Sequence, residues 1–206
     1  FYLTSVSADI GVNVGLSGAA GLFDMSGNED LNGSSSLRTK GDEHGEAGFG
    51  SVFIEKTLGD RFAIGVDYVP SSLETETTES AKHDKTTTDT QSAKENKIQV
   101  DFEDLTTVYV SANVSDSFYV KAGMISVDVI TNESLGTGST YGNTSLDGTL
   151  LGFGYNNSFD NGAFVRVETN YMDFDGASVT SGTDNHIVSI NQLHGVTAKL
   201  SIGKSF

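Results

Sequence analysis

The chain has 206 residues, 36% of them hydrophobic, with 24 glycines, a single proline, no cysteine and no tryptophan. That length suits one domain, and the missing cysteines exclude disulfides, thiolate zinc sites and thiol chemistry. Twelve basic against 28 acidic residues leave a net charge of −16. Such a balance speaks against nucleic acid, whose phosphates need a basic face, and against docking on anionic lipid headgroups. No apolar run is long enough for a transmembrane helix, but strands that cross a membrane are half polar and escape that criterion.

Period 2 runs through almost the whole chain, and no helical face emerges. From Val6 to Leu22 the even positions read Val6, Ala8, Ile10, Val12, Val14, Leu16, Gly18, Ala20 and Leu22, separated mostly by small or polar residues such as Ser7, Asp9, Asn13 and Ser17. Residues 1–8 contain Phe1-Tyr2-Leu3 and Val6-Ser7-Ala8. They read either as a residual signal segment with its small-residue cleavage site or as an N-terminal arm of the first strand. Alternating segments follow at 49–58, 62–69, 107–114, 118–129, 149–159, 163–174 and 192–206, which makes eight candidate strands.

Short and long connections alternate along the chain. Leu58-Gly59-Asp60, Ser115-Asp116-Ser117 and Asp160-Asn161-Gly162 are tight-turn sequences. The segments 24–46, 70–96, 131–147 and 175–191 are long and polar. Segment 70–96 sets Glu74, Glu76, Glu79, Lys82, Lys85 and Lys94 among threonines, the composition of a mobile loop. Beyond it, Ile98, Val100 and Phe102 run in phase with Val108, Val110, Ala112 and Val114, so the fourth strand is expected to rise beyond a bilayer in a projecting hairpin. Several structureless loops of this size are unusual in a soluble domain. They are the rule on one side of a membrane barrel.

Two sets of aromatic residues mark the strand ends. Phe62, Phe118, Phe159 and Phe206 lie beside the short turns; Phe23, Tyr68, Tyr171 and Phe174 lie near the long connections. Rings gathered at two levels suit the two interfaces of a bilayer, as an aromatic girdle. The last strand also ends on an aromatic residue, with Leu200, Ile202 and Phe206 on one face and Lys204 interrupting.

These features resemble the small eight-stranded outer-membrane β-barrels of Gram-negative bacteria, the OmpA/OmpX-type or opacity-protein-like families. The resemblance covers nearly the whole chain. It implies a single all-β domain over residues 1–206, an eight-stranded antiparallel up-and-down transmembrane β-barrel with short periplasmic turns and long extracellular loops. It further implies both termini on the periplasmic side, a setting of outer-membrane lipid and lipopolysaccharide, and recognition by the barrel-assembly machinery through Leu200, Ile202 and Phe206. Lys204 departs from the apolar or aromatic residue usual in that signal. Eight crossings of about ten residues use roughly eighty residues, which leaves over half of the chain for loops and strand extensions.

Strand parity turns Glu55, Asp67, Lys121, Arg166, Glu168 and Lys199 inward, three acids and three bases. Glu55 shares its face with Phe49 and Phe53. In so narrow a barrel these charges read as an ion-pair network that fills the lumen, or as a gated narrow pore in which Arg166 or Lys121 exchanges partners. No catalytic, cofactor or metal site is expected. His44 and His83 fall in the long connections, His186 and Ser189 lie on opposite faces of an extended strand, and neither a compact His-x-Ser motif nor a paired His/carboxylate spacing involves His194 or the others. The acidic first connection, with Asp24, Glu29, Asp30, Asp42, Glu43 and Glu46, reads as a solvated segment, or as a loose bridge to lipopolysaccharide phosphates through divalent ions. The expected role is structural and surface-interactive, with loops that contact a cell, matrix or phage. A narrow channel for ions or small solutes is the first alternative. A soluble ligand-binding β-barrel, its apolar face turned inward, is the second.

Overall fold

The computed structural model describes residues 11–31, 34, 38–82, 94–135, 140–183 and 185–206. The expectations for residues 1–8 and for His83 therefore lie outside the described residues, apart from the strand that follows. In chain order the strands are β1 (Val12–Asp30), β2 (Arg38–Leu58), β3 (Phe62–Tyr68), β4 (Leu73–Glu74), β5 (Thr78–Lys82), β6 (Lys94–Asn113), β7 (Phe118–Leu135), β8 (Thr144–Ser158), β9 (Ala163–Phe174), β10 (Ala177–Thr180) and β11 (Ile187–Ser205). Eight of them, β1-β2-β3-β6-β7-β8-β9-β11, follow one another as antiparallel neighbours, and β1 pairs back onto β11 to close the ring. At that seam Val12 and Phe206 exchange backbone hydrogen bonds of 3.1 and 2.9 Å. The short strands β4 and β5 lean on β6, and β10 on β11.

Alternation decides which way each side chain points, because successive residues of a strand face opposite sides. The apolar face points outward. Leu16, Leu22, Ile54, Val110, Leu151, Val167, Val196, Leu200 and Ile202 are all exposed, and Met124 reaches 74%. A soluble barrel would turn this face into its cavity, so the ligand-binding alternative is corrected: the greasy side forms a continuous external belt, larger than soluble surfaces tolerate. Of the three tight turns, that of Ser115-Asp116-Ser117 has no glycine, and the other two place Gly59 and Gly162 at positive φ values of 67° and 81°. Such angles cost little without a Cβ.

The strands are longer than the apolar pattern suggested. β1 and β2 continue pairing to Asp30 and Arg38, and β6 and β7 to Asn96 and Leu135, well into the segments read as loops. Part of segment 70–96 is likewise β4 and β5, paired along β6, where a mobile loop was expected. Backbone ladders need no apolar face, so polar residues can extend a hairpin where neither side is packed.

One irregularity changes the reading of β6. Between the pairs of Glu103 with Asp128 and Thr106 with Ser126, two residues on β6 oppose one on β7, and Asp104 sits in the left-handed region at φ 54°. This bulge flips the parity of everything beyond it. Val100 and Phe102 therefore pack inward on the core, whereas Val108 and Val110 stay on the outer belt. The even residues do not share one face, contrary to their spacing. The bulge also marks where β3 ends: Tyr68 donates a 2.6 Å hydrogen bond to the Asp104 carboxylate.

Val167, 55% exposed and paired with Leu200 and Tyr155, lies in the belt on β9. The variant Val167→Arg should lose about 2–4 kcal/mol of folding stability in lipid vesicles if the site is near the bilayer midplane. Reversible urea unfolding of the two chains in the same vesicles measures it.

Candidate functional site

The barrel interior is built in two layers. The layer nearer the short turns is ionic. Arg166 on β9 reaches across to Glu55 on β2 with two parallel hydrogen bonds of 2.7 and 2.8 Å, the bidentate fork that suits guanidinium to carboxylate. Asn13 and Tyr109 donate to the same carboxylate at 3.0 and 2.9 Å. Lys121 on β7 pairs with Glu168 on β9, which also accepts from the Tyr119 hydroxyl at 2.7 Å. Lys199 on β11 meets Asp67 on β3 at 2.5 Å, with Ser51 donating to the same oxygen at 3.2 Å. The six inward charges are thus brought together as three cross-barrel pairs. Arg166 and Glu168, two residues apart on one strand, do not pair with each other. Arg166 finds its partner across the lumen on β2, and Glu168 finds its own on β7, over the glycines of β8.

Aromatic rings complete this layer. The Arg166 guanidinium lies 4.5 Å from the centre of the Phe164 ring, 5.5 Å from Tyr119 and 5.6 Å from Phe53, and Lys121 stands 4.6 Å over Tyr109. These contacts desolvate the cations while offering the negative faces of the rings. Glu55 is only 2% exposed, so the four hydrogen bonds from Arg166, Asn13 and Tyr109 replace the water that it has lost. The rings fit because glycines face them. A Cβ on Gly65 would lie 2.7 Å from Cζ of Tyr109 and 2.9 Å from Cγ of Glu55. Phe49 and Phe53 share the inward face of Glu55 on β2, so that strand points aromatic and acidic residues to the same side.

The layer nearer the long connections is apolar. Val69, Leu105, Ile125, Val127, Val129, Leu146, Leu150, Met172, Phe174 and Leu193 form one buried cluster, with Phe23 and Met25 against it. Phe23 and Phe174 therefore face inward and are not part of an outer aromatic ring. Where the layers meet is a small cavity lined by Asp67, Lys121, Lys199 and Asn170 on one side and by Val69, Leu105, Leu150 and Met172 on the other. Asn170 Oδ1 is buried beside it without a protein partner, a position that suits about one bridging water.

Sequence reading missed Tyr109, Tyr119 and Asn13 as members of the ionic layer. Their signal was present: each sits at inward parity on a strand whose other face is apolar. It missed the apolar layer because only the charges of inward parity were followed: Val69, Ile125, Val127, Val129, Leu150, Met172 and Leu193 lie within the segments read as strands, on the face opposite the outer belt. Among the described residues, no three His or acidic side chains converge as a ready metal site.

No protein-family model and no curated sequence matches this chain. Among solved structures, the outer membrane protein OprG from Pseudomonas aeruginosa aligns with a TM-score of 0.55 at 13% identity, covering 94% of this chain and 95% of that one. The fold is that of the eight-stranded outer-membrane β-barrels. Ail of Yersinia pestis aligns with a TM-score of 0.37 at 12% identity over 93% of this chain and 99% of that one. The outer membrane protease OmpT from Escherichia coli aligns with a TM-score of 0.43 at 9% identity over 97% and 98%. Identities this low concern the fold alone.

On the outside of the barrel, Phe62, Phe118 and Phe159 are exposed beside the short turns. Phe118 stacks on Phe153 at 5.6 Å and meets Tyr155 edge-on at 5.3 Å. Tyr171 is exposed at the opposite rim, and Tyr68 lies there against Asp104. Leu200, Ile202 and Phe206 all project outward, Phe206 at 77% exposure. Lys204, on the same face, donates to the Asn161 carbonyl at 2.5 Å and so occupies the rim instead of the belt.

Removing one member of a buried pair leaves its partner charged and desolvated. The variant Glu55→Gln should therefore cost about 3–5 kcal/mol, whereas Glu55→Leu combined with Arg166→Met should be much closer to the parent. Urea unfolding followed by heat-modifiable gel migration compares the three chains.

Proposed function

We propose that this chain is a sealed outer-membrane barrel whose role is structural and surface-interactive, carried by the hairpins that rise above its apolar belt. The observation behind this reading is the doubly closed interior: three cross-barrel ion pairs fill one half, and a packed apolar cluster fills the other. With both halves occupied by side chains, what distinguishes the molecule lies outside the lumen. β1 and β2 extend to a tip where Arg38 grips Asp30 through two hydrogen bonds of 2.7 Å. That hydrogen bonding from Arg38 holds the Asp30 carboxyl below its ordinary range. On the other side β5, β6 and β7 form a second raised sheet, with Lys97 bound to Glu79 at 2.7 Å and to Glu95 at 3.1 Å. Ordered hairpins present a shaped polar surface to a cell, matrix or phage at less entropic cost than loose loops.

In this reading both termini and the short turns face the periplasm, the belt sits in outer-membrane lipid, and lipopolysaccharide surrounds the rising strands. Leu200, Ile202 and Phe206 serve as the signal for the barrel-assembly machinery. A non-enzymatic role is favoured by the outward direction of His44 and His194, which stand on a convex surface and not in a cleft. A second reading, passage of a small apolar solute, draws on the apolar lining of the loop-side half.

Planar-bilayer recording separates the two readings. A sealed barrel gives no steady single-channel conductance, and Glu55→Gln raises it little because the apolar layer still blocks the path. Reproducible conductance steps from the parent chain would favour the channel. Separately, deletion of Phe206 should leave synthesis intact but sharply reduce the amount of chain reaching the outer membrane, as read by membrane fractionation. Unchanged membrane levels would remove the assigned role of that residue.

A further inference from the structure

On the outer surface, one step above the apolar belt, four neighbouring strands bring His44, Asp24, His194 and Asp173 into a single lateral row. Each is the cross-strand partner of the next: Asp24 on β1 faces His44 on β2 and His194 on β11, and His194 faces Asp173 on β9. Asp24, His44 and Asp173 are exposed, and His194 is half-buried. Nothing in the spacing along the chain announces this row, because its members are separated by 20 residues or more and meet only through strand pairing. His44 thus stands on β2, not in a loop.

The geometry around Asp24 is specific. His44 Nδ1 contacts Oδ1 of its carboxylate, and His194 Nε2 stands 3.7 Å from Oδ2. That second separation is too long for a hydrogen bond. It does match the distance between two donors of one ion, since metal bonds of about 2.0–2.2 Å to imidazole nitrogen and carboxylate oxygen put those atoms about 3–4 Å apart. The Tyr171 ring, centred 6.2 Å from the His194 imidazole, stands beside it. The flanking even positions on β2 carry Asp42 and Glu46, and no lysine or arginine stands within the row to compete for the carboxylates.

We propose that this row binds a divalent transition-metal ion of the zinc class. Asp24 and His194 supply the first two ligands, the exposed His44 side chain, which already touches the Asp24 carboxylate, swings in as the third, and water completes the coordination. Asp173, three strands away from His44, adds negative charge beside the site. Two imidazoles with carboxylates favour zinc, copper or nickel, whereas calcium and magnesium require oxygen ligands throughout. The position gives the ion a structural consequence. Asp24 and His194 lie on β1 and β11, the first and last strands of the ring, so the ion staples the seam at which the barrel closes. A ligand held only by the folded state stabilises that state.

The test is calorimetric titration of the folded, untagged full chain in detergent micelles with zinc chloride, and in parallel with calcium chloride. The expected result is one zinc per chain, affinity weakened at least tenfold in His194→Gln and in Asp24→Asn, and unchanged affinity in His186→Gln. Zinc should also raise the melting temperature of the parent but not of His194→Gln. The proposal is overturned by absence of zinc binding, by equal binding in the parent and both row variants, or by calcium binding as tight as zinc. The last outcome would mark a general acidic surface.

Discussion

Closure of the ring is the constraint on which everything else in this molecule rests. A strand whose edge faces hydrocarbon leaves amides and carbonyls without partners, each at a cost of several kcal/mol, so a sheet can stand in that medium only when its last strand returns to its first. Here β1 carries hydrogen bonds on both edges, to β2 along one side and to β11 along the other. Once the ring is closed, every strand residue must point either in or out, and the chemistry of the two faces separates. The outward face carries a continuous apolar belt; the inward face carries charges, hydroxyls and glycines near the short turns and aliphatic and aromatic residues near the long connections.

A closed eight-stranded ring leaves little internal room, and the interior solves two problems with different materials. Near the short turns, charge is neutralised in pairs that span the lumen, and rings against glycine backbones fill the remaining volume. Near the long connections, the lumen is filled by aliphatic and aromatic side chains that need no partners. The order matters. Apolar packing fills the end of the barrel from which the long hairpins rise, and the ion pairs lie below it.

Above the belt the constraints relax and the wall ceases to be a ring. β3 stops at Tyr68 and β9 at Phe174, while β1, β2, β6, β7 and β11 continue. The wall therefore splits into a sheet of β10, β11, β1 and β2 and another of β5, β6 and β7. The bulge at Asp104 and the register shift between Ser26 and Gly27 lie in the region of this change and redirect side chains there. The row of His44, Asp24, His194 and Asp173 sits at the same boundary, where side chains leave the apolar belt but backbone pairing still holds them in register.

Period-2 alternation, the three tight-turn sequences and the strict alternation of short and long connections were enough, in the sequence alone, to define eight antiparallel strands, because side-chain direction in a strand is a local property. The inward parity of Glu55, Asp67, Lys121, Arg166, Glu168 and Lys199 was legible for the same reason. Which acid meets which base was not: Arg166 joins Glu55 over 111 positions of chain, and only the curvature of the closed wall brings those two strands face to face. The inward turn of Val100 and Phe102 was hidden as well, since a single extra residue at Asp104 reverses parity without disturbing composition. The row around Asp24 depended on the stagger between four strands. Local chemistry determines how each strand presents its faces, but register and closure, which are properties of the whole sheet, decide which residues meet.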